Sequence, residues 1–478
     1  MYDVLIIGCG IVGAATAFEL SKYQLNVGVL ERENDIAMGT TKANSAIIHA
    51  GYDPMPGTLM AKLNVRGAAR AQELCPALDV PYQRCGSLVL ALSKEDIPVL
   101  ENLYHRGIAN GVEGLALLGR GKVKTLEPSV SDAVIAALYA PSAAICSPWE
   151  YCLALAETAV VNGVQLHLNT AVTGLTPTAD GWMVHTNCGD YPSRWVMNAA
   201  GVDAGQVHCM AAPPTFTIHP SKGQYHLLDK SEGRRVSRII FQCPDRNGKG
   251  VLVAPTVHGN LIVGPNAEPA RAGDLSTTAA GLALVRQTAV KSVPDIHFRD
   301  SIRSFAGLRA NSDTGDFVLE IAAHQFMDLA GVCSPGLSAA PAIAEYAVEL
   351  LTHAGVALEK KGSFTCRRRR VRFQCLSAAE KARLVASQPA YGRVICRCET
   401  ITEGEILDAL RAPIPPRSVD GVKRRVNAGM GRCQGGFCGP KVVEILAREW
   451  GCAPDCIVQD GSGAWMLARE TKGGNEYV

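Results

Sequence analysis

The chain has 478 residues, a length that allows two or three domains. Its formal net charge of +2 and its 47% share of hydrophobic residues exclude a strongly basic, nucleic-acid-binding protein. No apolar run reaches the about 18 residues of a membrane-spanning helix, and Asp3 interrupts any N-terminal signal peptide. We therefore expect a cytoplasmic protein that contacts the inner membrane face, if at all, only peripherally.

The first thirty-one residues predict a dinucleotide-binding βαβ unit. A buried strand over Tyr2–Ile7 runs directly into Gly8-Cys9-Gly10-Ile11-Val12-Gly13, and a helix and a second strand follow. In a GxGxxG turn the glycines allow a tight turn, close approach of backbone amides to a pyrophosphate, and close packing of helix on strand. Glu31 ends the second strand, where its carboxylate can accept ribose hydroxyls. The motif indicates a bound dinucleotide and does not by itself distinguish FAD from NAD.

The next segment, from Met38 to Tyr52, is rich in small and hydroxylated residues up to Ser45. Such a loop lets the backbone approach a flat ring system and offers hydrogen-bond donors, although an ordinary turn has a similar composition. His49 follows this loop. A histidine among apolar neighbours is often a structural residue, but its position after the loop favours a catalytic role.

Helical and strand patterns alternate along the following 250 residues. Helices are predicted over Pro56–Cys75, Lys94–Asn110 and Pro148–Asn162. A buried strand over Arg194–Gly201 ends in small residues and predicts a second close approach to the dinucleotide. Three further segments predict an antiparallel sheet in a second, substrate-facing domain: Lys222–Leu228, Gly250–Ala254 and Leu261–Gly264.

Two later stretches add to the predicted site. Arg309 lies in a small and apolar stretch, and a buried guanidinium needs an anionic partner, either a protein carboxylate or a substrate. The segment Phe326–Pro341 predicts a strand, a glycine-rich turn and the start of a helix whose dipole can face a bound ring. The nucleotide-binding domain is therefore predicted to be discontinuous. We interpret the basic stretch Arg367–Arg372 as a solvated linker, with docking to an acidic partner as the alternative.

Four of the seventeen cysteines form a metal-binding pattern in the C-terminal part. Cys396 and Cys398 form a CxC motif, and Cys433 and Cys438 form a CxxxxC motif. Four thiolates suit zinc or an iron–sulfur cluster, and the spacing favours [2Fe–2S] because structural zinc sites usually use CxxC pairs. Zinc, no metal, and ligation through Cys452 and Cys456 instead remain alternatives. Nearby glycines can direct N–H groups at sulfides: Gly429, Gly431, Gly435 and Gly436.

Several motifs together resemble the FAD-dependent glycerol-3-phosphate dehydrogenase and L-2-hydroxyglutarate oxidase branch of the D-amino-acid-oxidase-type flavoproteins. Over about residues 1–355 they are GCGIVGAATA, TTKANSAIIHAGYD, VMNAAG and GVCSPGLSAAPAIAEYA, with Glu31. Over about residues 390–478, VICRCETITEGEI and GMGRCQGGFCGP resemble the bacterioferritin-associated-ferredoxin-like [2Fe–2S] domain. The combination is similar to the flavoprotein subunit of anaerobic-type glycerol-3-phosphate dehydrogenases.

This resemblance implies an α/β and α+β protein with three parts. They are a glutathione-reductase-type FAD-binding Rossmann domain, an antiparallel-sheet substrate domain, and a small, mainly helical [2Fe–2S] domain. The FAD-binding domain would comprise about residues 1–80, 141–215 and 300–355, and the substrate domain about 81–140 and 216–299. A linker over 356–388 would precede the [2Fe–2S] domain at 389–478.

The same resemblance implies the residues of the site. His49 corresponds to the catalytic base of similar oxidases, Lys222 and Arg309 would hold the anionic group of the substrate, and Ser334 is a further substrate-binding candidate. The cluster ligands would be Cys396, Cys398, Cys433 and Cys438. The predicted FAD contacts are Gly8, Gly10, Val12, Gly13, Glu31, Thr40, Thr41, Ser45, Ala46, Ile47, Val172, Gly201, Gly336 and Leu337.

We therefore expect a FAD-dependent dehydrogenase that oxidises sn-glycerol 3-phosphate to dihydroxyacetone phosphate. Its electrons would pass through the [2Fe–2S] cluster to a partner protein or a quinone system, because an oxidase would have no need of a cluster. Two alternatives remain. One is the same chemistry on a 2-hydroxy acid such as L-2-hydroxyglutarate, an opine or an amino acid, and the other is a non-catalytic electron-transfer subunit with a structural metal.

Overall fold

The computed structural model describes residues 1–244 and 250–468, which form two compact units. One unit comprises Met1–Arg32 and Ile36–Arg369, and the other comprises Glu33–Asp35 and the chain from Arg370 onward. Within the described ranges, none of the helices combines the length and the apolar character that crossing a lipid bilayer requires.

The first unit contains twenty strands and eight α-helices among the described residues. The strands are β1 (Tyr2–Ile7), β2 (Val27–Leu30), β3 (Ile47–Ile48), β4 (Tyr82–Arg84), β5 (Ser87–Ala91), β6 (Ala116–Gly119), β7 (Ala136–Ala140), β8 (Ala144–Cys146), β9 (Gln165–His167), β10 (Val172–Thr178), β11 (Gly181–Thr186), β12 (Gly189–Asn198), β13 (Ile218–Leu228), β14 (Ile239–Gln242), β15 (Leu252–Pro255), β16 (Leu261–Gly264), β17 (Glu268–Pro269), β18 (Ser301–Ser312), β19 (Val318–Ala323) and β20 (Phe326–Ala330). The helices are α1 (Ile11–Leu20), α2 (Leu59–Ala77), α3 (Ile97–Ala109), α4 (Arg120–Leu126), α5 (Pro148–Val161), α6 (Ala204–Ala211), α7 (Ala279–Ser292) and α8 (Gly336–His353).

The first sheet has the order β10-β11-β12-β1-β2-β9, and β20 and β19 join it through β12. Strand β1 pairs in parallel with β2 and β12, which is why its apolar run is buried. Helix α1 packs against α5 and α8. This part of the first unit combines three distant parts of the chain: β1, β12 and α8. Such a combination is what a discontinuous domain predicts.

The second sheet has the order β17-β13-β16-β15-β14-β5-β7-β6, with β18 alongside β13. Strand β18 pairs with β13 from Ile218–Ser312 to Leu228–Ser301. The expected domain limits gave residues 300–355 to the first domain, whereas this antiparallel pairing makes β18 part of the second sheet. The two faces of the sheet pack into separate hydrophobic clusters, one with Ile47 of β3 and the other with Val285 of α7.

The second unit is small and mainly helical. It contains the strand pair β21 (Val394–Cys396) and β22 (Ile401–Thr402) and the helices α9 (Ala378–Ser387), α10 (Glu403–Leu410), α11 (Val419–Val426) and α12 (Gly439–Trp450). Capping boxes begin α9 and α10. Asp35 lies within this unit against Arg424 and Arg425. Although burial opposes ionisation, the two guanidiniums lower the pKa of Asp35 to about 2.

Candidate flavin site, substrate face and cluster site

The GxGxxG turn forms a narrow cradle between β1 and α1. Gly8 has a positive φ of 97°, and a Cβ atom there would lie 2.7 Å from the Ala199 carbonyl oxygen. A Cβ atom at Gly13 would lie 2.0 Å from the Gly8 carbonyl oxygen. A Cβ atom at Gly10 would meet only the Thr41 hydroxyl, at 3.3 Å, so the backbone at Gly10 is open to a ligand. This is the arrangement that a pyrophosphate group requires.

Glu31 and Thr41 stand at the edges of the cradle. The buried Glu31 carboxylate accepts the backbone N–H of Cys9 at 2.7 Å, and the Thr41 hydroxyl accepts the N–H of Ile11 at 2.9 Å. A carboxylate oxygen can accept more than one hydrogen bond, so Glu31 can also accept ribose hydroxyls. The residues of the turn therefore fit a dinucleotide.

The loop after Glu31 is held against β18 of the second sheet. The Thr40 hydroxyl donates to the Leu308 carbonyl at 2.8 Å, and a Cβ atom at Gly307 would lie 1.9 Å from the Ala43 carbonyl oxygen. The Asn44 side-chain oxygen accepts the N–H of Ala46 at 2.8 Å. Glycine at position 307 is thus required for the loop to lie between the two sheets, where a flat ring would bind.

His49 is positioned by residues that the sequence interpretation did not single out. Its backbone N–H donates to the Ser338 hydroxyl at 2.8 Å, and its carbonyl accepts from the Asn64 side chain at 3.4 Å. Its half-buried imidazole stacks on Phe241 of β14, with 5.9 Å between ring centroids. Ser338 lies in the first turn of α8, so His49 is bound to the segment that begins at Gly336. These partners are far away in the sequence, and no local pattern indicates them.

Arg309 lies on the face of the second sheet that contacts the loop containing Ala43 and Ser45. It pairs with Ser221 across the strands, and a Cβ atom at Gly223 would lie 2.9 Å from an Nη atom of Arg309. On the same face Tyr225 stacks on Phe305, and the Tyr225 hydroxyl lies 3.2 Å from the Ser45 hydroxyl. The guanidinium is half-buried and forms no ion pair with any residue in the two described ranges.

The structure does not bring Lys222 together with Arg309, the other residue predicted to hold the anionic group of the substrate. Successive side chains of a strand point to opposite faces, so Lys222 lies on the face opposite to Ser221 and Arg309. Its buried ammonium group lies 2.8 Å from an Asp274 carboxylate oxygen and 3.4 Å from the Ser276 hydroxyl. The hydrogen bond from Lys222 lowers the pKa of Asp274 to about 2. Lys222 is thus paired with a protein carboxylate on the side of the sheet that faces α7.

The other predicted contacts lie at the ends of elements. Val172 begins β10, Gly201 follows β12 with a φ of 62°, and Gly336 and Leu337 begin α8. A Cβ atom at Gly201 would meet nothing within 4 Å. Ser334 is half-buried and lies two residues before α8. Val12 lies in the first turn of α1, and Ile47 forms β3.

The four predicted cluster ligands meet as two pairs, each with one cysteine from each motif. The sulfur atoms of Cys398 and Cys433 lie 3.7 Å apart, and the thiols of Cys396 and Cys438 are hydrogen-bonded to each other. The hydrogen bond from Cys438, with the N–H groups of Gly429 and Glu399, lowers the pKa of Cys396 to about 6. The same hydrogen bond raises the pKa of the Cys438 thiol, so within this pair Cys396 is the member favoured as the thiolate, which is the ligand form of cysteine.

The spacing of these pairs favours a binuclear cluster over zinc. In the described part of the chain, no three of the cysteine sulfurs lie within 4.8 Å of one another. A tetrahedral zinc site with Zn–S bonds of about 2.3 Å would bring all four to about 3.8 Å. Two irons, each with its own pair, fit this arrangement. A Cβ atom at Gly431 would lie 2.2 Å from the Cys398 Cβ atom. The thiols of Cys452 and Cys456, the alternative ligands, contact each other.

Two family models match the chain. The model described as FAD dependent oxidoreductase matches residues 3–350, and the BFD-like [2Fe-2S] binding domain matches residues 394–448. The chain belongs to the FAD dependent oxidoreductases. FAD is therefore its dinucleotide rather than NAD, and a [2Fe–2S] cluster is its second cofactor. The predicted fold and cofactors are confirmed.

Three proteins with known names are similar to this chain. A glycerol 3-phosphate dehydrogenase of Caloramator mitchellensis is 48% identical over 99% of both chains. The structure of L-alpha-glycerophosphate oxidase from Mycoplasma pneumoniae with FAD bound has a TM-score of 0.72 and 33% identity, covering 77% of this chain and 98% of that one. Human mitochondrial L-2-hydroxyglutarate dehydrogenase is 32% identical over 56% of this chain and 61% of its own length.

Proposed function

We propose that this chain is a glycerol-3-phosphate dehydrogenase that converts sn-glycerol 3-phosphate to dihydroxyacetone phosphate and delivers the electrons to a separate acceptor. The similarity to the Caloramator glycerol 3-phosphate dehydrogenase, which extends over both domains, supports this substrate. When bound, FAD would supply the hydride acceptor, and the [2Fe–2S] cluster would supply a one-electron carrier. The chain itself must bind the phosphate, orient the carbon and accept a proton.

The observation that carries the proposal is Arg309. A half-buried guanidinium with no ion pair in the described ranges is available to an anion, and its planar donors suit two phosphate oxygens. Gly223 leaves room for it over β13, and Tyr225 and Ser45 lie on the same face. A substrate anchored at Arg309 would therefore be directed toward the loop between the sheets.

His49 is the proposed base. Oxidation of the secondary alcohol requires two departures. The hydroxyl proton leaves the oxygen, and a hydride leaves the carbon that bears this oxygen. An imidazole nitrogen of His49 would accept that proton, a role that histidine often has in general acid–base catalysis. The backbone hydrogen bond to Ser338 positions the His49 main chain, and the imidazole ring stacks on Phe241. Ser334 remains a proposed further contact to the substrate.

The test is an anaerobic visible spectrum before and after addition of sn-glycerol 3-phosphate, L-2-hydroxyglutarate, an opine and an amino acid. We expect bleaching of the flavin band by glycerol 3-phosphate. Bleaching by L-2-hydroxyglutarate alone would contradict the proposed substrate and favour a hydroxy-acid dehydrogenase. No bleaching by any of them, in protein that holds FAD, would indicate a non-catalytic electron-transfer subunit.

The role of His49 is tested by His49→Ala in the same assay. General-base catalysis contributes about 10²- to 10⁴-fold, so flavin reduction should slow by that factor while the protein remains yellow. His353→Ala, at an exposed position at the end of α8, is the matched control and should reduce at the normal rate. Normal reduction of the His49 variant would remove it as the base.

A further inference from the structure

A cavity adjoins helix α7, away from the substrate face. This helix packs on the face of the second sheet opposite to the one that bears Tyr225 and Arg309. The cavity measures about 690 Å³ and is lined by α7 and by the segment 296–299 that follows it. Cavities that bind small molecules usually measure about 300–1,000 Å³. The cavity is therefore large enough for a ligand and lies outside the site described above.

The lining of this cavity combines apolar side chains with two guanidinium groups. Arg286 comes from α7 and Arg299 from the following segment, so the cations belong to different elements that meet at one cavity. The Arg286 guanidinium lies 5.3 Å from the centre of the Phe298 ring, which places a cation next to an aromatic surface. Four apolar residues line the same space: Ala283, Val290, Ile296 and Phe298.

Both guanidiniums are available to an anion. Arg286 and Arg299 are exposed to solvent, and neither forms an ion pair with any residue that the structure describes. No carboxylate of the described ranges is among the residues that line the cavity. Arginine presents planar N–H donors that match the oxygens of a carboxylate or a phosphate. The cavity therefore offers donors for a negative group and no acidic side chain that would compete for them.

The acidic residues near this segment lie together around His297. Side-chain atoms of Glu232, His297 and Asp300 lie within 4.8 Å of one another. Glu232 is paired with Arg235 at 2.8 Å, and Asp295 also interacts with Arg235. None of these three carboxylates lines the cavity, whereas the two unpaired arginines do. The positive charge is thus inside the cavity, and the compensating negative charge is outside it.

We propose that this cavity is a binding site for a small organic anion with a flat, apolar body. The arginines would bind its carboxylate, and the apolar walls would cover the rest of the molecule. Glycerol 3-phosphate has no such body, so the ligand differs in chemical class from the proposed substrate. The inference goes beyond the proposed function and does not depend on it.

Two other kinds of occupant use only part of the lining. A neutral apolar molecule would displace water from two guanidiniums without supplying a counter-charge, which is costly. A small inorganic anion would pair with the arginines but leave the apolar walls in contact with water. An organic anion satisfies both parts of the lining, which makes it the ligand that fits the whole cavity.

The test compares two probes that differ in charge and share one ring system. Indole-3-acetate carries a carboxylate, and indole-3-acetamide is its neutral analogue. Calorimetry measures the binding of each probe to the full chain with FAD and the [2Fe–2S] cluster. We expect the carboxylate to bind at least about 10-fold more tightly, because hydrogen bonds to charged groups are stronger, and to lose this advantage at high salt. Equal affinities for the two probes would overturn the proposal.

Charge-removing variants locate the binding of the carboxylate. We expect Arg286→Gln combined with Arg299→Gln to weaken indole-3-acetate at least about 10-fold, to the affinity of the amide. Arg120→Gln combined with Arg271→Gln removes the same charge at exposed positions outside the cavity lining and should change the affinity little. Equal losses in the two double variants would overturn the assignment to this cavity.

A variant that fills the cavity tests the apolar walls separately. Ala283 is exposed on α7, so Ala283→Trp places a large side chain in the cavity without removing a charge. We expect it to weaken both probes, and the visible flavin band reports whether each variant has folded. This result decides the matter even if the double arginine variant does not fold. Unchanged binding of both probes to the tryptophan variant would overturn the proposal.

The substrate face is excluded by a further variant in the same assay. Arg309→Gln should leave the affinity for indole-3-acetate unchanged, since Arg309 lies on the opposite face of the sheet. A saturating concentration of glycerol 3-phosphate should likewise not displace the probe. Loss of binding in the Arg309 variant would place the anion at the substrate face and overturn the proposal. None of these measurements uses flavin bleaching, so a failure of the proposed function would leave them valid.

Discussion

The pyrophosphate cradle and the Arg309 face show two ways in which a site is built. The cradle is made within six residues, because Gly8 and Gly10 link β1 to α1 and Gly13 lies in the first turn of α1. The Arg309 face is made by the register of β13 against β18, which joins Ser221 to Arg309. A local motif therefore determines the first, and long-range strand pairing determines the second.

This difference decides how each region responds to a small change. At Gly8 and Gly13 of the cradle, an added methyl group would meet backbone carbonyl oxygens, which cannot move independently of the chain. On the substrate face, a shift of one residue along β13 moves a side chain to the opposite side of the sheet. Lys222 and Ser221 are neighbours in the sequence, yet they face Asp274 and Arg309 respectively.

The largest effect is expected from Gly13→Ala. The new Cβ atom would lie 2.0 Å from the Gly8 carbonyl oxygen, so α1 must move away from the turn that holds the pyrophosphate. We expect protein that is purified without FAD, measured by its visible spectrum. Gly39→Ala is the matched control, because its φ is −89° and a Cβ atom there meets nothing within 4 Å. Full FAD content in the Gly13 variant would show that the cradle tolerates movement.

The second-largest effect comes from comparing substitutions on the two faces of β13. Arg309→Gln removes the cation that would bind the substrate phosphate, and loss of one partner of such a pair costs about 2–5 kcal/mol. We expect kcat/KM for glycerol 3-phosphate to fall about 10²- to 10³-fold in steady-state assays. Lys222→Gln combined with Asp274→Asn removes the ion pair on the other face and should change kcat/KM less than about threefold. A large loss of kcat/KM in this second variant would indicate that Lys222 takes part in substrate binding.

Much of the cofactor chemistry could be predicted from the sequence because it is carried by consecutive residues. The glycine turn with Glu31 indicates a dinucleotide and the cysteine motifs indicate a metal centre, whereas the choice of FAD over NAD and of [2Fe–2S] over zinc rests on the family. The pairing of the cysteines could not be read in this way. Cys398 lies 3.7 Å from Cys433 of the other motif, and α10 and α11 lie between the two motifs in the sequence, so the tertiary fold decides which cysteines meet.

The substrate face was harder to predict because the type of a residue does not indicate the face of the sheet to which its side chain points. Lysine and arginine on adjacent strands are equally compatible with an anion site until the register is known. Gly307 and Ser338 were also not recognised, since their partners, Ala43 and His49, lie more than 250 residues away in the sequence. Only strand pairing and helix packing bring these groups together.

The smallest effect is expected at the hydrogen bond that joins His49 to α8. Ser338→Ala removes the acceptor of the His49 backbone N–H at 2.8 Å, and one such hydrogen bond contributes about 1 kcal/mol. If its role is to position the base, kcat should fall about fivefold while KM for glycerol 3-phosphate stays unchanged. Ser338→Thr keeps the hydroxyl and should restore most of the rate. Asn64→Ala removes the longer contact to the His49 carbonyl, 3.4 Å, and should have less effect. A rise in KM with unchanged kcat would instead place Ser338 in substrate binding, and the substrate face would then extend to α8.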